Sequence, residues 1–338
     1  MSKTLHAGNK GLANLGNTCY MNSALQCLSH LLTFHPLNEM FQAHCVSAPE
    51  DCLLKEWYAF QREIWSNERQ QMINPISLLQ CFQKQCHLKD YYFENFQQND
   101  AHEFLCLFLD LLHQGNQRPV KIKSQNRGKT HDEYDELVRK SEETWTRFYS
   151  NDYSYIVENF SSQLLEITRC PLCEYYTSNH DPIQVISLWI PKSAKSLRDC
   201  LESYTQSGTL DEQNQWKCDH CHEHVTPNKQ TILWKTSDIL IILLKRYTPN
   251  RKITRHLDYS EQLDLQGLSF NFNRKQENKY ALQGFCVHGG SLGGGHYFAV
   301  CKNHLDKHWY EYNDTNVSKI PEDHVTTYRP YIFFYKRV

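Results

Sequence analysis

The residues best suited to chemistry begin with one cysteine at the opening of a helical pattern. It lies in Gly11-Leu12-Ala13-Asn14-Leu15-Gly16-Asn17-Thr18-Cys19-Tyr20-Met21-Asn22-Ser23. Beyond it Met21, Ala24, Leu25, Leu28, Leu31 and Leu32 recur at intervals of three and four, the period of a helix, with Asn17 or Thr18 placed as N-cap. Cys19 thus falls in the first turn. There the unpaired backbone N–H groups and the positive end of the helix dipole favour a thiolate, so a lowered thiol pKa and a nucleophilic sulfur are expected. The glycines allow a tight approach of the backbone, and the Asn14 amide can reach an oxyanion formed beside the sulfur. The competing account is a small buried cysteine behind an ordinary cap.

A thiol nucleophile needs an imidazole, and the imidazole needs an orienting group. Tyr280 to Val300 reads as two strands around a loop rich in glycine (Gly289, Gly290, Gly293, Gly294 and Gly295), so that His296 opens the second strand. His288 in the same hairpin is the second candidate for the base. The alternating run His308 to Asp314 reads as the next antiparallel strand, which brings Asn313 or Asp314 beside His296 to fix its tautomer. A separate signal is Cys170-Pro171-Leu172-Cys173 with Cys218-Asp219-His220-Cys221. Two such knuckles offer four thiolates for one tetrahedral zinc ion, a closed shell that holds structure and leaves no open position for catalysis; a redox dithiol pair and coincidental core cysteines are the competing accounts. His220, His222 and His224 are read as solvated neighbours of the second knuckle.

The elements that must position these groups follow from periodicity. Residues 1–113 read as mostly helical, with helices at the Cys19 segment, Cys52 to Trp65, Pro75 to Cys86 and Asp100 to Leu112. Gln114 to about Arg139 is polar and of mixed charge and reads as a mobile linker before a short helix near Glu142 to Phe148. Strand signals dominate the rest: Ile156 to Thr168, Ile183 to Ile190, Gln230 to Trp234, Ile239 to Arg246, Tyr280 to His288, His296 to Lys302 and Tyr328 to Lys336, with a helix from Leu197 to Tyr204. A chain of 338 residues exceeds one compact core, so two or three subdomains sharing a cleft are expected. The formal net charge of −2 argues against polyanion binding. Lys121, Lys123, Arg127 and Lys129 could form a basic patch, but Asp132, Glu133, Asp135 and Glu136 follow at once, so no nucleic acid is expected. The apolar run Ile239 to Leu244 is too short for a bilayer and reads as a buried strand. Fourteen cysteines without a signal-like N-terminus predict reduced thiols in the cytosol or nucleus.

Together these boxes resemble the ubiquitin-specific protease family, the papain-like cysteine deubiquitinases shaped as a right hand. Besides the Cys box (Gly11 to Leu28) and the His box (Tyr280 to Val300, with Trp309 to Asp314), Gln98-Asn99-Asp100-Ala101-His102-Glu103-Phe104-Leu105 and Leu243-Leu244-Lys245-Arg246-Tyr247 stand in family order. The resemblance implies an α+β fold and a single catalytic domain over 1–338. Its parts would be a helical thumb (1–113), the linker and short helix (114–150), zinc-bearing β fingers (151–240) and a β-rich palm (241–338). It implies Cys19 as nucleophile, His296 as general base and acid, Asn313 as third triad member, Asp314 as a contributor and Asn14 as oxyanion donor. Gln98, Asp100, Glu103, Tyr297, Gly294 and Gly295 would contact the extended tail of ubiquitin, and Cys170, Cys173, Cys218 and Cys221 would bind a structural zinc ion. The implied partner is ubiquitin on its conjugates, handled by a monomer. The alternatives are a protease for another ubiquitin-like protein ending in two glycines, and a catalytically silent ubiquitin-binding module. Tyr247 departs from the family's usual Phe and Gly208 lies where a Glu is usual, which bears on contacts with the ubiquitin body and not on the catalytic set. From Asp100 the residues themselves also support plain helix capping.

Overall fold

The computed structural model describes residues 7–93, 96–122, 133–209, 215–270, 278–291 and 294–338. Gly293, Lys123, Arg127, Lys129 and Asp132 lie outside these. Eight α-helices occur among the described residues: α1 Cys19–Ser29, α2 Glu39–Ser47, α3 Leu53–Ile64, α4 Ile76–His87, α5 Ala101–Gln114, α6 Glu133–Tyr149, α7 Tyr155–Phe160 and α8 Leu197–Thr205. The palm is a mixed sheet. Its strands run in the order Asn316–Ile320, Trp309–Asn313, Gly294–Lys302, Lys279–Ser291, Pro330–Arg337, Ile239–Leu244 and Val185–Leu188, and Gln262–Asp264 also pairs with Lys279–Ser291. All neighbours are antiparallel except Ile239–Leu244 beside Val185–Leu188. A second sheet, the fingers, aligns Tyr176–Ile183, Ser162–Arg169, Asn228–Lys235 and Gly208–Thr209.

Period-two alternation sends the palm strands' side chains to two cores. Ile241, Leu243, Cys286, Ala299, Cys301, Tyr312, Ile332 and Phe334 pack towards the helices of the thumb. Leu240, Ile242, Leu244, Phe285, Val300, Trp309, Phe333 and Tyr335 pack on the opposite face with Leu197, Cys200 and Leu201 of α8. Helix α1 lies between the palm sheet and the other thumb helices, and every residue from Cys19 to Ser29 is buried. Each fully buried leucine there, such as Leu25 or Leu28, contributes roughly 2 kcal/mol relative to exposure. This packing holds the N-terminus of α1 against the strand that carries His296.

Helix α2 and the strands Tyr176–Ile183 and Asn316–Ile320 are additional to the sequence reading, and two segments differ from it in kind. The region read as linker and short helix contains α6, which starts at Glu133 and runs 17 residues. Only Val138 and Ser141 of it are buried, so the apolar content that signals a helix is sparse, while Glu136–Lys140 and Arg139–Glu143 pairs at the i,i+4 spacing support it from the surface. The run read as a strand from Ile156 begins instead as α7. The Ser154 side chain accepts from the Val157 amide and caps it, and the strand starts only at Ser162.

Candidate active site

The hairpin Trp309–Asn313/Asn316–Ile320 turns through Asp314 and Thr315, with Asp314 at φ +50°. The Leu12 N–H donates to the Asp314 carbonyl at 2.8 Å, and Gly11 passes so close to Thr315 that a side chain at residue 11 would collide with the Thr315 backbone. That contact is one reason the Cys box begins with glycine. It brings Asn14, Asn313 and Asp314 together at the start of α1.

His296 Nε2 lies 2.7 Å from Asn313 Oδ1. An amide oxygen only accepts, so Nε2 carries the proton and Nδ1 keeps its lone pair. Asp314 Oδ2 is 3.9 Å from the same Nε2. The Asp314 carboxylate is gripped by two amides: Asn14 Nδ2 donates to Oδ2 at 2.9 Å and Asn22 Nδ2 to Oδ1 at 2.8 Å. Asn14 Oδ1 in turn accepts from the Gly16 and Thr18 amides, each at 3.1 Å, which fixes the turn into α1. Thr18 is the N-cap residue, although its side chain makes no cap hydrogen bond.

Cys19 is 5% exposed, and its electrostatics correct the sequence expectation. Burial pushes its thiol pKa above the ordinary value. The Tyr297 amide opposes this, the Asp314 charge adds to it, and the amides of Tyr20 and Cys19 oppose it. The helix start does aim N–H groups at the sulfur, but desolvation outweighs them, and desolvation depends on tertiary packing that a local pattern does not contain. Among the described residues no hydrogen bond joins Cys19 to His296. Alkylation of Cys19 by iodoacetamide in the ligand-free protein is therefore expected to climb only on the alkaline side of an ordinary thiol. A rate already flat from about pH 6 to 8 would instead reveal a pre-formed ion pair.

A groove of about 210 Å³ leads to the sulfur, bordered among others by Asp100, Tyr247, His288, Gly294, Gly295 and Tyr297. Gln98 crosses it: Nε2 donates to the Gly295 carbonyl at 3.2 Å and Oε1 accepts from the Gly295 amide at 3.3 Å. Asp100 caps α5 through Oδ1, and its Oδ2 accepts from the Tyr331 hydroxyl at 2.7 Å. The capping account thus holds for Asp100, which also lines the groove. Glu103 is exposed and does not border it. Tyr297 is buried against His288, with ring centroids 4.5 Å apart. His288 lies in the groove wall and is no base: burial and the neighbouring Lys252 push its pKa down to about 4, and its Nδ1 accepts from Lys252 Nζ at 2.6 Å. A side chain on Gly295 would strike the His288 ring and the Gly289 carbonyl, so the loop there needs glycine.

At the tip of the fingers the sulfurs of Cys170, Cys173, Cys218 and Cys221 lie within 4.8 Å of one another, with Cys170–Cys221 at 3.8 Å and Cys173–Cys218 at 3.6 Å. Four sulfurs at about 2.3 Å from a central zinc ion would stand about 3.8 Å apart, so the thiols fit one ion. The two knuckles share one backbone pattern. Glu174 and His222 follow their cysteines at φ +58° and +62°, and their amides donate to the Cys170 and Cys218 carbonyls. Burial acts to raise the Cys218 thiol, but the Cys221 and His220 amides outweigh it and the pKa falls to about 7, which readies this sulfur as a thiolate ligand.

Asn22 and Lys252 are the site residues to which sequence reasoning gave no role. An asparagine inside the apolar run of α1, one turn after Cys19, was the available signal for the first. None pointed to Lys252.

Comparison with known proteins gives a consistent result. The family profile described as ubiquitin carboxyl-terminal hydrolase matches residues 10–335. Ubiquitin carboxyl-terminal hydrolase Usp2 of Drosophila melanogaster is 30% identical over 338 residues, covering 97% of this chain and 34% of the relative. Ubiquitin carboxyl-terminal hydrolase 21 of Rattus norvegicus is 30% identical, covering 98% of this chain and 62% of the relative. The chain thus spans less than two thirds of these relatives. Ubp8 in the SAGA DUB module with Sgf11, Sus1 and Sgf73, bound to monoubiquitin, superposes with a TM-score of 0.75 at 25% identity over 100% of this chain and 70% of that one. The α+β architecture is accordingly the papain-like right hand expected from the sequence. A match of this extent, joined to the Cys box and His box meeting at one groove, establishes that the chain belongs to the ubiquitin carboxyl-terminal hydrolase family.

Proposed function

We propose that this protein is a thiol-dependent deubiquitinase that hydrolyses the isopeptide or peptide bond after the C-terminal glycine of ubiquitin. The observation that carries the reading is the 2.7 Å contact of His296 Nε2 with Asn313, which leaves a basic Nδ1 on the strand whose next amide, that of Tyr297, addresses the Cys19 sulfur. Similarity to a relative bound to monoubiquitin supports the substrate class.

The chemistry follows from these groups. As the substrate tail settles in the groove, Cys19 passes its proton to His296 Nδ1, and the thiolate attacks the carbonyl carbon of the terminal glycine. Of the two hydrogens on Asn14 Nδ2, one is held by Asp314 and the other is available to the oxyanion, together with the Cys19 amide. His296 gives its proton to the departing lysine amine, which leaves a thioester on Cys19. It then deprotonates the water that hydrolyses the thioester, with Asn313 holding the ring throughout. Gln98 must release Gly295, or move with it, for an extended tail to occupy the groove. Cys170, Cys173, Cys218 and Cys221 would hold a zinc ion, which supplies cross-linking of the fingers and no step of the reaction. A reducing compartment such as the cytosol or nucleus is proposed from the sequence, whose fourteen cysteines include two pairs of knuckle thiols suited to a metal rather than to disulfides.

Ubiquitin with a C-terminal thiol-trapping warhead tests the reading. A single adduct on Cys19, absent from Cys19→Ala, is expected, and labelling of another cysteine or no labelling would overturn it. Matched reporters on ubiquitin and on other ubiquitin-like proteins ending in two glycines would reveal a different substrate as faster turnover of that reporter.

A further inference from the structure

The carboxylate of Asp314 links the cysteine helix to the histidine hairpin, and what orients it is a residue with no role so far. Asn22 is 3% exposed and lies one turn after Cys19 on α1. Its Nδ2 donates to Asp314 Oδ1 at 2.8 Å and to the Ala13 carbonyl at 3.2 Å. Its Oδ1 is buried and has no partner among the described residues. An amide carried in the core with its acceptor unpaired costs stability that an apolar residue of similar size would avoid. The donor half must therefore be the half that matters. It holds two things at once: the backbone one residue before Asn14, and the carboxylate on which the Asn14 amide rests. Without Asn22 the Asp314 carboxylate would be held by the Asn14 amide alone, through Oδ2, since Leu12 fixes only its backbone carbonyl.

We infer that Asn22 is a positioning residue for the reaction, acting through Asp314 to fix the Asn14 amide at the start of α1 and the carboxylate beside the His296 ring. The consequence for hydrolysis rests on the deubiquitinase reading, while the orienting role does not. Without Asn22, Oδ1 of Asp314 loses its donor, the carboxylate becomes a stronger anion and is free to close the 3.9 Å gap to His296 Nε2, and Asn14 loses its fixed partner.

The test is a double-mutant cycle on the full chain, with Asn22→Ala, Asp314→Ala and both together, read in two ways. In hydrolysis of a ubiquitin C-terminal fluorogenic amide, Asn22→Ala is expected to lower kcat by about tenfold to a hundredfold with KM within about threefold. In the Asp314→Ala background the same change should cost less than about threefold, because the two residues act as one unit. In NMR titration of the His296 ring, which needs no ubiquitin, Asn22→Ala should move the midpoint upward, and adding it to Asp314→Ala should leave the midpoint unmoved. Additive losses in kcat, or a midpoint that Asn22→Ala leaves in place, would reduce Asn22 to a packing residue and overturn the inference. If Asn22→Ala does not fold, the cycle is run with Asn22→Ser, which keeps a short hydroxyl, and the same non-additivity is required. A wild-type protein inert towards ubiquitin with the expected ring titration would sink the deubiquitinase reading and leave the positioning role standing.

Discussion

His296→Ala is expected to lower kcat/KM for a ubiquitin C-terminal amide by about ten-thousandfold, nearly all of it in kcat. The size follows from what the free site lacks. In proteases whose thiol is already ionised beside its histidine, part of the work is done before substrate arrives. Here burial holds the Cys19 thiol above its ordinary pKa, the net effect of desolvation against the amides of Tyr297, Tyr20 and Cys19. In the proposed mechanism the imidazole serves as proton acceptor in forming the thiolate, as acid to the leaving amine and as base to the hydrolytic water, and removing a group used in every step of a triad costs roughly four to six orders of magnitude. Asn313→Ala, which frees the ring to rotate and to adopt the other tautomer, should cost less, about tenfold to a hundredfold, because Asp314 Oδ2 at 3.9 Å from Nε2 is placed to take over part of the orienting. Stopped-flow measurement of the adduct-forming step with the warhead probe separates these effects. His296→Ala should leave only the intrinsic ionisation of the thiol, so that the step quickens only on the alkaline side of an ordinary thiol. A His296→Ala protein with more than about a tenth of wild-type turnover would assign the base elsewhere, and His288 cannot supply it while Lys252 donates to its Nδ1.

Part of the site is legible in the chain before it folds. Cys19 and His296 stand out because their chemistry writes itself into local sequence: small residues and amides before a helix start, and glycines before a strand. The knuckles are legible for the same reason, since metal geometry requires close spacing within each pair. The pKa of Cys19 is not legible, because its direction comes from eleven buried residues of α1 packed between a sheet and a helical layer. The order of preference between Asn313 and Asp314 is similar. Both lie at the end of one strand, and only the turn at φ +50° sends Asn313 to the ring and Asp314 to the amides of Asn14 and Asn22. Helix α6 was hidden by its solvated faces, and the start of α7 by β-branched residues that also suit a strand. Asp100 was ambiguous because one carboxylate does both jobs, capping α5 with one oxygen and receiving Tyr331 with the other.

The second large effect concerns the tip of the fingers, which on its own residues has too little to hold it. The apolar cluster at their tip consists of Cys170, Cys218 and Val225 with Cys173, Trp216 and Cys221 against it, and the strands beside it, Trp216–Lys217 and His224–Val225, are two residues each. An apolar cluster this small supplies only a few kcal/mol before the entropy of ordering the segment is subtracted. Four thiols within 4.8 Å can be kept there without a disulfide if a zinc ion binds them, since structural zinc contributes on the order of 10 kcal/mol to small folds of this type. About one zinc per chain is expected from elemental analysis. Stripping it with a chelator, or replacing Cys170 and Cys218 by serine together, should lower Tm by about 10 °C or more and erase amide-exchange protection around both knuckles. Hydrolysis of full ubiquitin substrates should fall with it, because the fingers stand apart from the groove and can matter only through the body of the substrate. The pH profile of Cys19 alkylation should stay as it was, because the cysteine helix packs in a different core, among the thumb helices and the palm sheet. Acid should release the metal as protons compete for the thiolates. A metal-free chain with unchanged Tm and full turnover would show that the knuckles hold together by backbone hydrogen bonds alone.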